Sequence, residues 1–434
     1  MNDSNVPNDP NDPNDPNGPN DPNDPNGPNG PNGPNDPNDP NGRLPLEGIL
    51  VIAVEQAVAA PFASRQLADL GARVIKIERP GVGDFARGYD RTVNGLASHF
   101  VWINRTKESL TLDLKRPEAA DVLRRLLSHA DVLIHNLAPG AMSRLGFASS
   151  ALHEQHPRLV VCEISGYGTD GPYRDKKAYD LLVQSEAGLL SITGTPDVPS
   201  KVGVSIADIA AGMYAFSGIL AALVRRARTG AGAVLDVSMF DALAEWMGYP
   251  AYYTGYGGAP LPRSGAAHAA IAPYGPYIAG DGKVVYLGLQ NEREWARFCG
   301  EVLEQPSLAT DRRFSANADR VAHREALDGL ITASFAKYSA EQTLARLDAA
   351  QIANARMNTV EEFLEHPQLA ARNRWRTVDS PAGPIRALLP PFGLGDVEPQ
   401  MGPIPAVGEH TNAILEEFGY DAAAIARFRA SGVI

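Results

Sequence analysis

The chain has 434 residues, 44% of them hydrophobic, and a formal charge of −12 at pH 7. Residues 1–42 hold eight Asp and no Lys, Arg or Glu, so only −4 remains on the rest of the chain. A body so nearly balanced gives no sign of a nucleic-acid-binding surface. The two cysteines, Cys162 and Cys299, form no CxxC pair, which excludes a disulfide framework and fits a reducing compartment.

Residues 1–42 repeat Asn-Asp-Pro and Asn-Gly-Pro triplets. Proline at every third position removes donors and blocks helix, and there is little to bury, so a disordered tail is expected. No signal peptide is legible, and no apolar run of membrane-spanning length; the cytoplasm is the default.

From Leu46 the pattern changes. Residues 49–54 read as a strand, 62–70 as a helix stopped by Gly71, and 73–77 as a second strand, which makes a βαβ unit. Strands over 110–114, 131–135 and 159–165 and a helix over 118–127 continue the alternation. Cys162 falls in the last of these strands and reads as a small buried hydrophobe. The alternation predicts an α/β fold with a parallel, doubly wound sheet. Helices follow over 179–188 and 208–226, with a strand over 234–237. Residues 249–276, dense in Gly, Pro and Tyr, read as a long loop. A strand over 283–289 and helical patterns over 292–369 suggest a smaller α+β lobe. Gly408-Glu409-His410-Thr411 precedes residues 412–418 as a capped helix start.

Several chemistries are excluded by their missing residues. The turn after the first strand, residues 55–61, has no glycine, so the dinucleotide fingerprint is absent. Gly81-Val82-Gly83 lacks a P-loop lysine. Gly203-Val204-Ser205-Ile206-Ala207 lacks the second glycine of a nucleophile elbow. His153-Glu154-Gln155-His156 lies in a polar stretch and reads as solvated surface, so no metal site is expected. What stands out is the loop Gly166-Tyr167-Gly168-Thr169-Asp170-Gly171-Pro172-Tyr173, which leaves a strand and leads to Tyr179-Asp180 at a helix start. Ligands of open α/β sheets bind at such carboxyl ends. On pattern alone, Asp180 is open to two readings, a helix cap or a catalytic acid.

At this point the sequence resembles the family III CoA-transferases, the superfamily of formyl-CoA transferase, carnitine CoA-transferase and 2-methylacyl-CoA racemase. The motifs that carry the resemblance are residues 48–54, 71–80 with Gly83-Asp84, and Asn104-Arg105-Lys107 with 112–115. They continue with Asn136 and Pro139-Gly140, Gly166-Tyr167-Gly168 with Gly171-Pro172, and Tyr179-Asp180. The resemblance covers roughly residues 45 to 434. It implies a Rossmann-like large domain, a smaller α+β domain and an interlocked homodimer. The implied division is 43–245 for the large domain, 246–280 for a linker and lid, 281–375 for the small domain, and 376–434 returning to the large one. It implies CoA contacts at Arg79, Leu112, Lys115, Asn136, Ala141 and Arg144. Coenzyme A enters as a thioester substrate, with no permanent cofactor and no metal. The partners are an acyl-CoA and a small organic acid, with no nucleic acid and no membrane.

The resemblance gives Asp180 as covalent nucleophile, attacking the thioester to form a mixed anhydride and then an aspartyl-CoA thioester. The racemase branch uses a His directly before the matching Asp and a second Asp downstream. Asp208 stands at about that downstream position, but Tyr179 replaces the His and is too weak a base near neutral pH. The glycine run that covers the site in oxalate-linked transferases corresponds here to residues 265–275, with few glycines, which suggests a stiffer lid. Residues 249–294 look most like transferases of C4–C5 dicarboxylates, with succinyl-CoA as donor and itaconate or mesaconate as acceptor. A second carboxylate needs a cation or donors, and Arg263 and His268 are the candidates. The alternatives are a 2-methylacyl-CoA racemase and a non-catalytic CoA-binding protein.

Overall fold

The computed structural model describes residues 44–395 and 397–434. The tail expected over 1–42 lies outside the described residues.

The chain divides into two compact units. The first gathers the residues up to Ser165, Gly212–Val237 and Trp375–Ile434. It is built on six strands: β1 Leu50–Val54, β2 Arg73–Glu78, β3 Lys107–Thr111, β4 Val132–His135, β5 Val160–Ser165 and β6 Ala233–Ser238. Their order is β3-β2-β1-β4-β5-β6. The pairs from β3 across to β5 run parallel, with Leu50 against Arg73 and Val51 against Val132. The order reverses between β1 and β4, which is the switch point where doubly wound sheets bind ligands.

Val51, Ile52, Ile75, Leu110, Leu133 and Val161 are buried in the core of this unit, as both faces of a parallel sheet require. Burying a side chain of this size stabilises by roughly 1.5–3 kcal/mol. Strand β3 begins three residues before the expected 110–114. Its first half is polar, and its polar groups are buried in pairs: the Lys107 ammonium donates to Glu55 at 2.7 Å and the Ser109 hydroxyl to Glu78 at 2.6 Å. The helix α1, Ala59–Asp69, ends before Gly71, whose φ is +97°. A Cβ at Gly71 would lie 2.5 Å from the Leu44 Cβ. The helix α2, Pro117–Leu127, starts on proline and ends with Arg124 and Arg125 against its negative pole.

The crossover helix α3, Ile206–Thr229, corrects one expectation. It has 24 residues and a mean hydropathy of 1.7 over its most apolar stretch, long and apolar enough to cross a membrane. Ser217 and the glycines at 212 and 218 hid that run from a search for unbroken apolar sequence. Here its small residues serve packing. A Cβ at Gly212 would lie 2.7 Å from the Ala59 carbonyl, and Ala215 and Ile219 are fully buried. The cap expected at residues 408–411 also differs. His410 makes no side-chain cap; its Nδ1 accepts from the Ser109 N–H at 3.2 Å, while the Thr411 hydroxyl accepts from the Thr111 N–H at 3.1 Å. Both side chains are drawn to the exposed backbone of the edge strand β3, which they cover.

The second unit gathers Gly166–Ala211 and Ser238–Arg374. Its sheet is antiparallel, β7 Tyr274–Ile278, β8 Val284–Gly288 and β9 Ala353–Arg356, over a core containing Trp295, Phe298, Phe314, Ile331 and Phe335. Residues 166–211 therefore group differently from the contiguous 43–245 block implied by the resemblance. The long loop expected over 249–276 contains a helix, Gly248–Gly257, closed by Gly258 at φ +77°. Pro250 is tolerated because it lies in the first turn, where an N–H has no intrahelical partner. The hairpin β10 Trp375–Val378 and β11 Ile385–Leu388 belongs to the first unit.

Candidate functional site

In the first unit, the carboxyl ends of β1, β2 and β3 and the helix Ala141–Arg144 enclose a cavity of about 540 Å³. Five of the six expected CoA contacts line it: Arg79, Leu112, Lys115, Ala141 and Arg144. The sixth, Asn136, does not. Its side-chain amide instead holds the backbone of Gln56, which does line the cavity, accepting from the N–H at 2.9 Å and donating to the carbonyl at 2.7 Å.

The cavity's charge follows from which groups are paired. Its wall includes the acids Glu55, Glu78 and Asp84. Beneath the wall, Glu55 meets the Lys107 and Lys76 ammoniums at 2.7 and 3.3 Å, and Asp84 meets Lys76 at 2.9 Å, all four side chains being fully buried. Glu78 pairs with Arg87 at 2.7 Å. Burial alone would raise the Glu78 carboxyl, but Arg87, Lys76 and Ser109 hold it down at about 2. These three acids are thus neutralised from within, while a fourth acid of the lining, Asp113, meets the exposed Arg116 at 3.7 Å. Arg79, Lys115 and Arg144 form no ion pair among the described residues, so the rim offers three cations to an anionic ligand. Sequence reasoning missed the buried quartet. Its one visible signal was Lys76, a charge inside the apolar strand Val74-Ile75-Lys76-Ile77.

In the second unit, Asp180 opens the helix Asp180–Glu186. Its carboxylate makes no cap bond to its own helix. It accepts from the Ala207 N–H at 2.8 Å and from the Gln184 side-chain amide at 2.7 Å, so both oxygens are held. Asp180 therefore caps the start of α3. Gln184 is fully buried, and its carbonyl oxygen accepts from the Val202 N–H at 3.0 Å. The next residue of α3 after Ala207 is Asp208. Burial, and then the charge of Asp180, push the Asp208 carboxyl up to about 7. Among the described residues no hydrogen bond reaches it. Two carboxylates are thus close enough to influence each other, one held at both oxygens and one without a donor. Tyr179 is 69% exposed.

Arg263 donates to the carbonyls of Thr195, Pro196 and Ser191 at 2.8, 2.6 and 3.4 Å. His268 lies between Tyr274 and Tyr249, with ring centroids 5.5 and 6.2 Å away, and its Nδ1 accepts from the Ala270 N–H at 3.1 Å. Both residues are engaged in local structure. Cys162 is free and buried, and burial pushes its thiol up to about 12, which leaves it an inert hydrophobe.

Comparison with known proteins agrees with this architecture. Residues 46–411 match the family described as CoA-transferase family III. The chain is 31% identical to the succinyl-CoA:glutarate CoA-transferase of Mus musculus, over 90% of each chain. It is 36% identical to the acetyl-CoA:oxalate CoA-transferase of Acetobacter aceti, over 86% of this chain and 96% of that one. Among solved structures it resembles a CAIB/BAIF family protein from Brucella suis, with a TM-score of 0.75 and 33% identity over 87% of this chain and 100% of that one.

Proposed function

The chain belongs to CoA-transferase family III, and from that premise we propose that it carries CoA from succinyl-CoA to a C4–C5 dicarboxylic acid of the itaconate or mesaconate kind. It is an acyl-CoA:carboxylate CoA-transferase. The two relatives named above act, by their names, on glutarate and oxalate, and both of those acids are dicarboxylates. This supports the acceptor class. Arg79, Lys115 and Arg144 are the proposed phosphate-binding cations, with Leu112 and Ala141 against the apolar parts of CoA and Asn136 shaping the wall. A homodimer in the cytoplasm is the proposed setting; the exposed Tyr252 and Tyr256 of the helix Gly248–Gly257 support the association.

The reaction needs an ionised carboxylate whose oxygen keeps a lone pair for attack. The motif nominates Asp180. The single observation that carries our reading is that Asp180 is held by one donor at each oxygen, which orients it and leaves a lone pair on each, while burial and the Asp180 charge push the Asp208 carboxyl up to about 7. This favours Asp180 as nucleophile, with Asp208 as its protonated neighbour. The carboxylate attacks the thioester carbonyl, forming a mixed anhydride and releasing CoA thiolate. The thiolate attacks the aspartyl carbonyl, leaving an aspartyl-CoA thioester and freeing the donor acid. The acceptor carboxylate then displaces the thiolate to form a new anhydride, and the thiolate takes its acyl group. Every step exchanges activated acyl species, so the energy of the first thioester is conserved. The racemase reading would require Tyr179 to abstract an α-proton near neutral pH, which its acidity does not allow.

The test is to trap the intermediate with hydroxylamine or borohydride in the presence of succinyl-CoA and to locate the label by peptide mass spectrometry. Label at Asp180, lost in Asp180→Ala, is expected. Label at Asp208 would move the role to that residue. Full turnover in both alanine variants would overturn the covalent route.

A further inference from the structure

Residues 264–273, which overlap the segment 265–275 corresponding to a mobile glycine-rich cover in the resemblance, are bonded along nearly their whole length. Within this stretch the N–H groups of Gly265, Ala267, His268, Ala270 and Ala272 all have partners: the Gly194, Ser264 and Tyr274 carbonyls, the His268 ring and the Asn317 side chain. Four of the carbonyls are held from residues 317–324. Asn317 donates to Ala270 at 2.9 Å, Arg320 to Ala272 at 2.8 Å, and Arg324 to His268 and Ile271 at 2.7 and 2.9 Å. Asn317 and Arg320 lie one turn apart on the helix Asn317–Ala322, and Arg324 is the first residue of the next helix, Arg324–Phe335, so the segment is held from two consecutive helices. Arg320 is itself fixed: it is 1% exposed, pairs with Glu292 at 2.7 Å, and lies over the Trp295 ring at 5.1 Å.

The other end of the segment is tied to the chain between the two aspartates. Arg263 bonds three carbonyls of residues 191–196, and the Gly265 N–H donates to Gly194 at 2.8 Å. That connecting chain is in turn tied to Asp180 through Val202 and Gln184.

We propose that Asn317 and Arg324 are positioning residues that hold residues 264–273 as a fixed wall, and that this wall, by its fixed position, sets which acceptor acids the transferase takes. The claim on selectivity rests on the reading of the Asp180–Asp208 pair given above; the claim of a fixed wall does not. A wall clamped at both ends cannot re-form around acids of different length, whereas a mobile cover can.

Hydrogen–deuterium exchange of the full chain separates the two claims. In the wild type, the amides of 265–272 should exchange slowly. In Asn317→Ala and Arg324→Gln, they should exchange about tenfold faster or more, the change expected for losing a hydrogen bond of ordinary strength. Rapid exchange already in the wild type would overturn the fixed wall. Kinetics of the same variants with acceptors from C2 to C5 should show the ratio of kcat/KM values between short and long acids flattening, while covalent adduct formation from succinyl-CoA persists. An unchanged ratio alongside faster exchange would overturn the selectivity claim. Absence of any adduct in the wild type would instead count against the covalent reading, and leave the exchange result standing. Arg324→Lys, which keeps a donor at that position, should recover part of both effects.

Discussion

Asp208 carries a proton at a pH where an ordinary aspartate has lost it, because burial and the Asp180 charge both disfavour its anion. The Asp208 carboxyl should therefore titrate near pH 7, followed by carbon NMR of labelled aspartate. Asp180→Asn keeps an oxygen for the Ala207 N–H but removes the charge, and the titration should move to lower pH. Burial remains, so it should stop short of the usual carboxylate range. A titration unmoved in Asp180→Asn would show that the two acids do not interact. Stability has its own sign. The folded chain holds a proton that the unfolded chain releases above about 3.8, so this group's contribution falls as pH rises from there to about 7. Asp208→Asn should remove that slope, measured by urea denaturation at several pH values. The motif at Tyr179-Asp180 was legible in sequence. The pairing with Gln184 was concealed in an ordinary helical repeat, and Asp208 showed only as a position shared with the racemase branch.

At the scale of elements, β1, β2 and β3 meet through buried charge rather than through apolar contact alone. Glu55, Lys76, Asp84 and Lys107 are matched two against two, and burial pushes Lys107 down to about 7. Removing one partner leaves an uncompensated charge among fully buried side chains. Glu55→Ala should therefore cost about 3–5 kcal/mol of stability, read from a urea midpoint. Lys115→Ala offers the contrast. Its side chain is exposed at the cavity rim, so stability should change by no more than about 0.5 kcal/mol while KM for acyl-CoA rises. A loss of stability in Lys115→Ala with KM unchanged would remove it from the proposed phosphate site. Five strands of the large sheet were read nearly in place because their apolar runs are short and bounded by turns. The start of β3 was not, since Lys107 and Ser109 are polar and their burial depends on partners far away in sequence.

For the whole molecule, the family match begins at residue 46, after the repeat tract, and residues 1–42 contain almost no apolar side chains. Deleting 1–42 should leave transfer rate and thermal midpoint nearly unchanged. A fall in either, measured side by side with the full chain, would assign the tail a role in folding or catalysis. Sequence alone settled the alternation of strands and helices, the α/β class, the family and the cations at the ends of particular strands. These rest on local periodicity and on short motifs, which are properties of neighbouring residues. Tertiary structure decided the rest. It removed Asn136 from the cavity surface, committed Arg263 to three backbone carbonyls, gathered residues 166–211 into the second unit, and set Asp208 beside Asp180. Each of these depends on which distant group supplies the hydrogen bond or charge, and one-dimensional spacing carries no record of that partner.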